Sequence, residues 1–322
     1  MTLPISLSDN ISLPVVAAPM FILSNPDLVI AQCKMGIVGS FPALNARPAE
    51  ELEVWLEKIS SALEKHNASD PQRRAAPFAV NQIVHSSNDR LEHDLALCVK
   101  YKVPIVITSL GCKQFVIDTI HSYGGLVFHD VINNDFAKKA VSKGVDGLIA
   151  VAAGAGGHAG TTSPFALIQE IREWFDGLLL LSGSIATGNS ILAAQAMGAD
   201  MAYMGSTFIA TKEANATNEY KQAVIDHSSS DIIYTNLFSG IHANYLGPSI
   251  EAAGLNPKDL PESDPSKMNF GVDNKATSVK VWRDIWACGH GIGAVKELLS
   301  TEDVISRLEH EYYVAQDRLL GK

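Results

Sequence analysis

The sequence has no long apolar run, no excess of basic residues and no targeting segment that stands out. Its 322 residues contain no stretch of the ~18 consecutive apolar residues that a membrane-spanning helix needs. The 25 Lys and Arg residues are outnumbered by 35 Asp and Glu, and the formal net charge of −10 disfavours partners that bind clustered cations. The first residues, MTLPISLSDN, have neither the basic nor the apolar part of a secretory signal. These absences predict a cytoplasmic protein with no nucleic-acid and no membrane partner.

Cysteine and histidine are not spaced for a metal site. The four cysteines contain no C-x-x-C pair, and no two histidines stand at the H-x-x-x-H spacing of a helical metal site. We therefore expect reduced thiols and no metal. The sequence also lacks the G-x-S-x-G motif of acyl-transfer nucleophiles, and no G-x-G-x-x-G motif follows its first apolar segment. The absence of G-x-G-x-x-G weakens the interpretation as a dinucleotide-binding protein.

The chain does have a regular alternation of apolar and amphipathic segments. Hydrophobic residues make up 47% of it and charged residues 19%, the balance of a globular protein with a large core. Interleaved strands and helices imply parallel pairing through right-handed crossovers. Eight such units of about 26 residues each fit a closed (β/α)8 barrel, or TIM barrel, better than the alternative, an open doubly wound sheet of the Rossmann kind. The predicted strands are residues 14–18, 36–41, 77–84, 104–108, 126–131, 145–151, 178–182 and 201–204.

The last third of the chain lacks this alternation. Asn, Pro, Asp and Ser cluster near residues 256–269, and helical patterns occupy residues 277–287 and 303–319. We predict a barrel over residues 1–212 and a mostly helical extension, or lid, over residues 213–322. The extension is expected to pack on the barrel as part of the same structural unit.

A glycine-rich loop follows the sixth predicted strand. It reads AGAGGHAG and contains one titratable side chain, His158. Glycine permits backbone conformations with positive φ and lets the backbone approach a ligand closely. The catalytic groups of α/β barrels lie at the carboxyl ends of the strands, so His158 is a candidate for chemistry there. The alternative, from this stretch alone, is a flexible turn with a histidine on the surface.

Two further loops have the composition of a phosphate site. The segment SGS (182–184) follows the seventh strand, and MGST (204–207) follows the eighth. Barrels commonly bind phosphate with the backbone N–H groups of these two loops, and small residues leave space for it. Either loop alone is also compatible with an ordinary turn or helix cap. Together, at the seventh and eighth positions, they predict a phosphate site.

Three other strand ends carry candidate binding groups. Ala18, Pro19 and Met20 close the first strand, where the proline fixes the turn and backbone groups beyond it would face the barrel mouth. Asn81 ends the third strand, and its amide suits a ring edge that has both a donor and an acceptor. A helix cap or turn is the alternative for Asn81. His129, at the end of the fifth strand, either satisfies a buried hydrogen bond or binds a ligand.

These motifs together resemble the nitronate monooxygenases, formerly called 2-nitropropane dioxygenases, which are FMN-dependent TIM barrels. The matching pieces are AAPM near the start, Asn81, AGAGGHAG, SGSIATG and YMGSTF. They cover roughly residues 10–215 in order. In the extension, HANYLGPSI and PESDPSKMNF resemble a bacterial subgroup of the same family.

The resemblance implies an FMN site at the carboxyl ends of the strands. His158 would point toward the reactive N5 face of the flavin, either as the base for the α-proton of a nitroalkane or as a hydrogen-bond donor to the nitro group. His129 and Tyr245 are the candidate substrate-pocket residues, and Tyr245 would reach the site from the extension. The implied cofactor-binding residues are Ala18, Met20, Asn81, Gly157, Gly183, Ser184, Tyr203, Met204, Gly205 and Ser206.

The implied reaction is the oxidation of an alkyl nitronate by O2 to a carbonyl compound and nitrite. A homodimer is one assembly that this sequence allows. One alternative keeps the flavin barrel but uses NADH or NADPH to reduce a quinone or an enoyl thioester. An alternative of a different class is a non-catalytic barrel that binds a phosphorylated metabolite as a sensor.

Overall fold

Eight parallel strands form the central sheet of the computed structural model, which describes residues 9–263 and 284–321. The strands are short and apolar, as expected where both faces of a parallel sheet are buried. They are β1 (Val15–Ala17), β2 (Gly39–Pro42), β3 (Phe78–Ile83), β4 (Ile105–Ser109), β5 (Leu126–Val131), β6 (Gly147–Val151), β8 (Leu178–Ser182) and β9 (Met201–Met204). The two-residue strand β7 (Gly157–His158) lies between β6 and β8 in the sequence and belongs to a second sheet.

The central sheet closes on itself. β1 pairs with β9, and the remaining strands follow in the order β8, β6, β5, β4, β3, β2. An isolated parallel bridge between Val16 and Val38 joins β1 to the start of β2, and the N–H of Ala17 donates to the carbonyl of Val38 at 2.8 Å. This closure confirms the predicted TIM barrel and excludes the open sheet, whose edge strands would stay unpaired.

Side chains of the strands alternate between the barrel interior and the layer under the helices, because successive residues of a strand face opposite sides. In β5, Phe128 packs inside the barrel, whereas Val127 and Val131 pack outside it. This alternation decides which residues at the strand ends face the barrel mouth. The interior set also includes Val16, Ala79, Ile107, Ile149, Leu180 and Tyr203.

Helices that connect the strands cover the outside of the barrel. They are α1 (Pro26–Lys34), α2 (Glu51–Ser69), α3 (Leu91–Lys100), α4 (Gln114–His121), α5 (Asn134–Val141), α6 (Pro164–Arg172) and α7 (Gly188–Ala196). Asn25 caps α1 by accepting from the N–H groups of Asp27 and Leu28, and a capping box of Thr187 and Ser190 begins α7. Among residues 9–263 and 284–321, no helix has the length and apolar character to cross a membrane.

The extension contains helices, as predicted, and also two strands that the sequence patterns did not predict. Its longer helical segments are α8 (Asn218–Asp226), α9 (Gly247–Ala252) and α10 (Thr301–Leu320). Strands β10 (Ile232–Thr235) and β11 (Ala243–Leu246) pair antiparallel with each other, and β11 also pairs with β7. The helix predicted at residues 277–287 falls largely outside the described residues.

Helix α10 takes the place of the eighth barrel helix. It lies against α7 and α1, and its Leu308 and Tyr312 belong to the apolar cluster under these helices. The Tyr312 hydroxyl donates to Oε1 of Gln195 at 2.6 Å, and Glu311 accepts from the N–H of Gly188 at 2.8 Å. The extension therefore supplies the helix that covers the join between β9 and β1. The predicted boundary between barrel and extension, at residue 212, stays a prediction.

Gly188→Ala tests this contact. An alanine Cβ at this position would lie 2.1 Å from the backbone N of Tyr312 and 2.4 Å from the carbonyl O of Leu308, so α7 and α10 would have to separate. Overpacking of this kind costs about 1–3 kcal/mol, which outweighs the gain of about 1 kcal/mol from replacing a helical glycine by alanine. We expect a lower free energy of unfolding in urea. Gly293→Ala is the control, because its Cβ would lie 3.9 Å from the nearest described atom. Equal stability of the two variants would contradict the close contact.

Candidate active site

Polar groups from three neighbouring strands form a hydrogen-bond chain inside the barrel mouth. Nδ2 of Asn81 in β3 donates to the carbonyl of Ile107 at 3.1 Å and to Oγ of Ser109 in β4 at 2.7 Å. Ser109 in turn donates to Oδ2 of Asp130 in β5. Asn81 is 5% exposed and so shielded from bulk water, whereas Ser109 and Asp130 are half-buried. Both protons of the Asn81 amide nitrogen are thus used within the protein, which leaves only its carbonyl oxygen to accept a hydrogen bond from a ligand.

Asp130 is a member of this chain that the sequence patterns did not select. It faces inward because Phe128, two residues earlier, packs inside the barrel. Its Oδ1 has no hydrogen-bond partner among the described residues. Burial raises the pKa of Asp130 to about 6, and the hydrogen bond from Ser109 opposes this effect. A carboxyl group with a raised pKa therefore lies inside the mouth.

His129 faces the outer side of β5, away from the mouth where the resemblance placed it. It lies on the outer side of β5 with Val127 and Val131, and its Nδ1 is 2.7 Å from Oγ1 of Thr108. Burial lowers the pKa of His129 to about 4, so the side chain is neutral at pH 7. The structure therefore supports the first of the two alternatives for this residue, a buried hydrogen bond.

His158 is held beyond the end of β6 by strand pairing. Gly157 and His158 pair with Asn244 and Ala243 of β11, respectively. Asn244 adds a side-chain hydrogen bond from Nδ2 to the carbonyl of Ala155 at 2.6 Å. The glycine-rich loop is thus part of a three-stranded sheet, and the alternative of a flexible turn does not fit.

The imidazole of His158 is neutral at pH 7, because burial lowers its pKa to about 4. Its Nε2 lies 3.0 Å from Oγ of Ser239, a buried residue in the loop between β10 and β11. A neutral imidazole has one nitrogen with a proton and one with a lone pair. The nitrogen with the lone pair can accept a hydrogen bond or a proton, and the lowered pKa makes it a weaker base than a free imidazole.

Tyr245, the other residue that the resemblance implied for the substrate pocket, lies in β11 next to Asn244. It is fully buried, and its ring packs edge-on against Phe238 with 5.1 Å between the ring centroids. Burial raises the pKa of Tyr245 to about 12, and the hydroxyl interacts with Ser239. Tyr245 and His158 thus share Ser239 as a neighbour. No local sequence pattern singled out Ser239, which stands 81 residues after His158.

The loop after β8 meets the glycine-rich loop through close backbone contacts. Gly183 has φ +132°, and a Cβ there would lie 2.7 Å from the carbonyl O of Ala153. Ser184 is exposed and has φ +59°, and its N–H donates to the carbonyl of Gly154 at 3.3 Å. Positive φ is unfavourable for most residues other than glycine, so both loops are held in a defined shape by these contacts.

The end of the first strand meets the end of the eighth at Gly205. A Cβ at this glycine would lie 3.4 Å from Cβ of Ala18 and 3.8 Å from Sδ of Met20. The N–H of Ala18 donates to the carbonyl of Met204 at 2.8 Å. The side chain of Met204 lies in the outer apolar layer, whereas Tyr203 packs inside the barrel. Met204 therefore reaches this side of the mouth only through its backbone.

A segment of the extension that the sequence patterns missed completes this region. The N–H of Gly289 donates to Oγ of Ser206 at 2.8 Å, and the N–H of His290 donates to the carbonyl of Gly154 at 2.9 Å. A Cβ at Gly289 would lie 2.4 Å from that same carbonyl oxygen. The alternate glycines of CGHGIG (288–293) were a signal of close backbone approach, but nothing local indicates what they approach.

We call this meeting point the glycine cradle and define it by Gly154, Gly183, Gly205 and Gly289. Its loops, residues 152–160, 182–187, 204–208 and 288–294, contain no Lys or Arg. Concave sets of backbone N–H groups can bind an anion without a cationic side chain. Within the described part of the chain, no group of three or more His, Cys, Asp or Glu could hold a metal ion.

Comparison with known proteins identifies the family. Residues 5–311 match the family model described as nitronate monooxygenase. The chain belongs to the nitronate monooxygenase family. It is an oxidoreductase of this type, and members of the family are in general flavin-dependent. The resemblance drawn from the sequence motifs is thereby confirmed.

Individual members and structural neighbours are distant in sequence. The chain is 25% identical to a nitronate monooxygenase from Paraburkholderia phytofirmans, over 94% of this chain and 93% of the relative. Its structure is similar to that of a nitroalkane oxidase from Streptomyces ansochromogenes, with a TM-score of 0.77, 22% identity and coverage of 98% of this chain and 99% of that chain. FabK from Thermotoga maritima gives a TM-score of 0.76, 21% identity and coverage of 98% and 97%. The two structural likenesses show a shared barrel fold.

Proposed function

We propose that this member of the family oxidises alkyl nitronates with bound FMN and O2, giving a carbonyl compound and nitrite. The observation that carries the proposal is the position of His158, a neutral imidazole fixed by β11 and Ser239 in the loop that also forms the glycine cradle. With a nitroalkane as substrate, His158 would remove the α-proton and so generate the nitronate in place. When bound, FMN would supply the redox chemistry by taking an electron from the nitronate before O2 reacts.

The glycine cradle is the proposed position of the phosphate end of FMN. At Gly183 and Gly289 a Cβ would lie within 3 Å of a backbone carbonyl oxygen and at Gly154 within 3 Å of Oγ of Ser184, whereas at Gly205 it would meet nothing closer than 3.4 Å. Ser206 accepts a hydrogen bond from Gly289, which leaves the hydroxyl proton of Ser206 for a phosphate oxygen. Ser184, exposed at the rim, offers a second hydroxyl. We assign the phosphate to Gly183, Ser184, Gly205 and Ser206.

The ring of FMN is assigned to the side of the mouth formed by Ala18, Met20 and Asn81. The carbonyl oxygen of Asn81 supports this assignment, because the two hydrogen bonds donated by the amide nitrogen orient this oxygen as an acceptor before a ligand binds. Open space adjoins Gly157, where a Cβ would meet no described atom within 4 Å. Tyr203 faces the same interior and would lie beneath the ring.

An anaerobic titration tests the activity itself. The purified protein is mixed with ethyl nitronate or propionate 3-nitronate while the flavin absorbance is followed. We expect the absorbance to bleach, and nitrite to appear once air is admitted. A bound flavin that ignores nitronate but is reduced by NADH or NADPH would favour a quinone or enoyl-thioester reductase on the same barrel. No flavin spectrum, even after FMN is added, would contradict both and leave the sensor hypothesis.

His158→Ala separates proton removal from oxidation. We expect turnover of a neutral nitroalkane to fall by about 10²–10⁴-fold, the usual contribution of a general base. A preformed nitronate needs no deprotonation and should lose far less. Nitrite release per bound flavin is the measurement, and His310→Ala, on the exposed side of α10, is the control. Unchanged nitroalkane turnover in His158→Ala would remove His158 from the mechanism.

The pH dependence follows from the same residue. Only the neutral imidazole can act as the base, and burial lowers the pKa of His158 to about 4. Nitroalkane turnover should therefore persist well below pH 6.5 and be lost as the pH falls through about 4. A loss centred near 6.5 would contradict the buried environment assigned to His158.

Ser184→Asp tests the phosphate assignment by charge. Asp and Asn tolerate the positive φ of this exposed position better than most residues, so neither should distort the loop. A carboxylate would repel the phosphate, and we expect FMN affinity to fall more than tenfold, while the neutral isostere Ser184→Asn retains it. Gly183→Asp is less informative, because its Cβ would clash with the Ala153 carbonyl whether or not phosphate binds. Equal FMN dissociation constants for the Asp and Asn variants would place the phosphate elsewhere.

A further inference from the structure

The loop after β1 is held by one side chain from the connection that follows β2. Asn45 ends the short turn Ala43–Asn45, and its Oδ1 accepts from the N–H of Ile22 at 2.8 Å. Its Nδ2 donates to the carbonyl of Met20 at 3.0 Å and to the carbonyl of Ser24 at 2.8 Å. Carbonyl groups can only accept, so they fix which end of the amide faces them. The whole amide of Asn45 thus binds a single segment, residues 20–24.

Ile22 has a backbone conformation that its side chain disfavours. Its φ is +67°, and a β-branched residue with positive φ is a rare outlier. Strained conformations of this kind persist only where the surrounding contacts fix them. At Ile22 they come from two sides: the N–H donates to Asn45, and the carbonyl accepts from Nδ2 of Asn215 in the extension at 3.1 Å. The strain is therefore opposed by groups that lie outside the loop.

This loop places Met20 beside the glycine cradle. A Cβ at Gly205 would lie 3.7 Å from Cγ of Met20. The N–H of Met20 donates to Oγ of Ser24 at 2.9 Å, and the N–H of Ser24 donates back to the carbonyl of Met20 at 2.9 Å. The carbonyl of Met20 thus accepts from two groups, and the one from outside the loop is Asn45.

We propose that Asn45 is a positioning residue that holds the loop after β1, and with it Met20, against the ring of bound FMN. The place of the ring rests on the function proposed above, whereas the hold of Asn45 on the loop does not. Without Asn45, Ile22 would return to negative φ, and the peptide groups beside it would turn and move Met20 away from Gly205. With Asn45, the loop is oriented before the ring binds and loses little freedom on binding.

Methyl NMR of methionine tests the position of the loop without flavin or turnover. The full-length protein is labelled with ¹³C at the methionine methyl groups, and the Met20 signal is assigned by its loss in Met20→Leu. We expect Asn45→Ala to shift or broaden this signal, because the loop loses three hydrogen bonds. An unchanged Met20 signal in Asn45→Ala would overturn the proposal, whatever the enzyme activity proves to be.

Ile22→Gly and Ile22→Val form the matched pair for the role of the strain. Glycine adopts positive φ at no steric cost, so in the Asn45→Ala background it should return the Met20 signal toward its wild-type position. Valine is also β-branched and should not. A general loss of folding in Asn45→Ala would not be repaired by removing the side chain of residue 22. Equal Met20 signals in the two double variants would overturn the role assigned to Ile22.

Flavin affinity measures the consequence for the cofactor. FMN and riboflavin share the ring, and riboflavin lacks the phosphate, so titrations with both separate the two ends of the site. We expect Asn45→Ala to weaken both by about tenfold, within the factor of about 5–150 that corresponds to the cost of one strained residue. Ile22→Gly should restore most of this loss. Unchanged dissociation constants in Asn45→Ala, or a loss for FMN alone, would contradict a role of Asn45 at the ring.

The NMR results and the nitronate titration also separate this proposal from the proposed function. A displaced Met20 signal in Asn45→Ala, together with a bound flavin that ignores nitronate in the wild-type protein, would support the hold of Asn45 on the loop and contradict nitronate oxidation. An unchanged Met20 signal, together with flavin bleaching by nitronate, would keep the function and overturn the role of Asn45.

Discussion

Backbone pairing between β7 and β11 is the contact on which the position of His158 depends. The loop that carries His158 is rich in glycine, and a free glycine segment has more conformational freedom to lose than any other. Two residues of the loop, Gly157 and His158, pair with β11 of the extension, which lies more than 80 residues later in the sequence. Asn244 adds a buried side-chain bond to the carbonyl of Ala155. The extension is therefore part of the machinery that places the imidazole.

Close contacts between backbone segments also determine the shape of the glycine cradle. Gly154, Gly183 and Gly289 lie so close to carbonyl groups or a neighbouring side chain that any Cβ would have to displace them. These contacts tie three separate loops together, although none of them is long enough to hold its own shape. A similar close contact occurs on the outside of the barrel, where the absence of a side chain at Gly188 lets α10 approach α7 closely. Glycine at these positions is thus a packing residue as much as a flexible one.

The parts of the molecule that could be predicted are those with a local signal. Eight apolar segments predicted the barrel, and the small residues after β6, β8 and β9 marked the loops that the structure brings together at the mouth. Ser239 and Gly289 had no such signal, because their partners, His158 and Ser206, lie more than 80 residues away. The end of β5 shows a second reason why a site residue is hard to predict from the sequence. Its pattern located His129 and Asp130 correctly along the chain, but one residue of register decides which of them faces the mouth.

The proposed FMN is anionic, and in a protein of net charge −10 it would need a local attraction, because the overall charge repels it. The loops of the cradle contain no Lys or Arg, and His158 is neutral at pH 7 because burial lowers its pKa to about 4. The N–H groups of Ser184, Gly289 and His290 already donate to protein oxygens, so hydroxyl protons such as that of Ser206 are what these contacts leave for an anion. Hydroxyl groups held by the protein need little reorganisation when charge arrives. Under the proposed function, the phosphate would therefore be held by hydrogen bonds and not by an ion pair within the cradle.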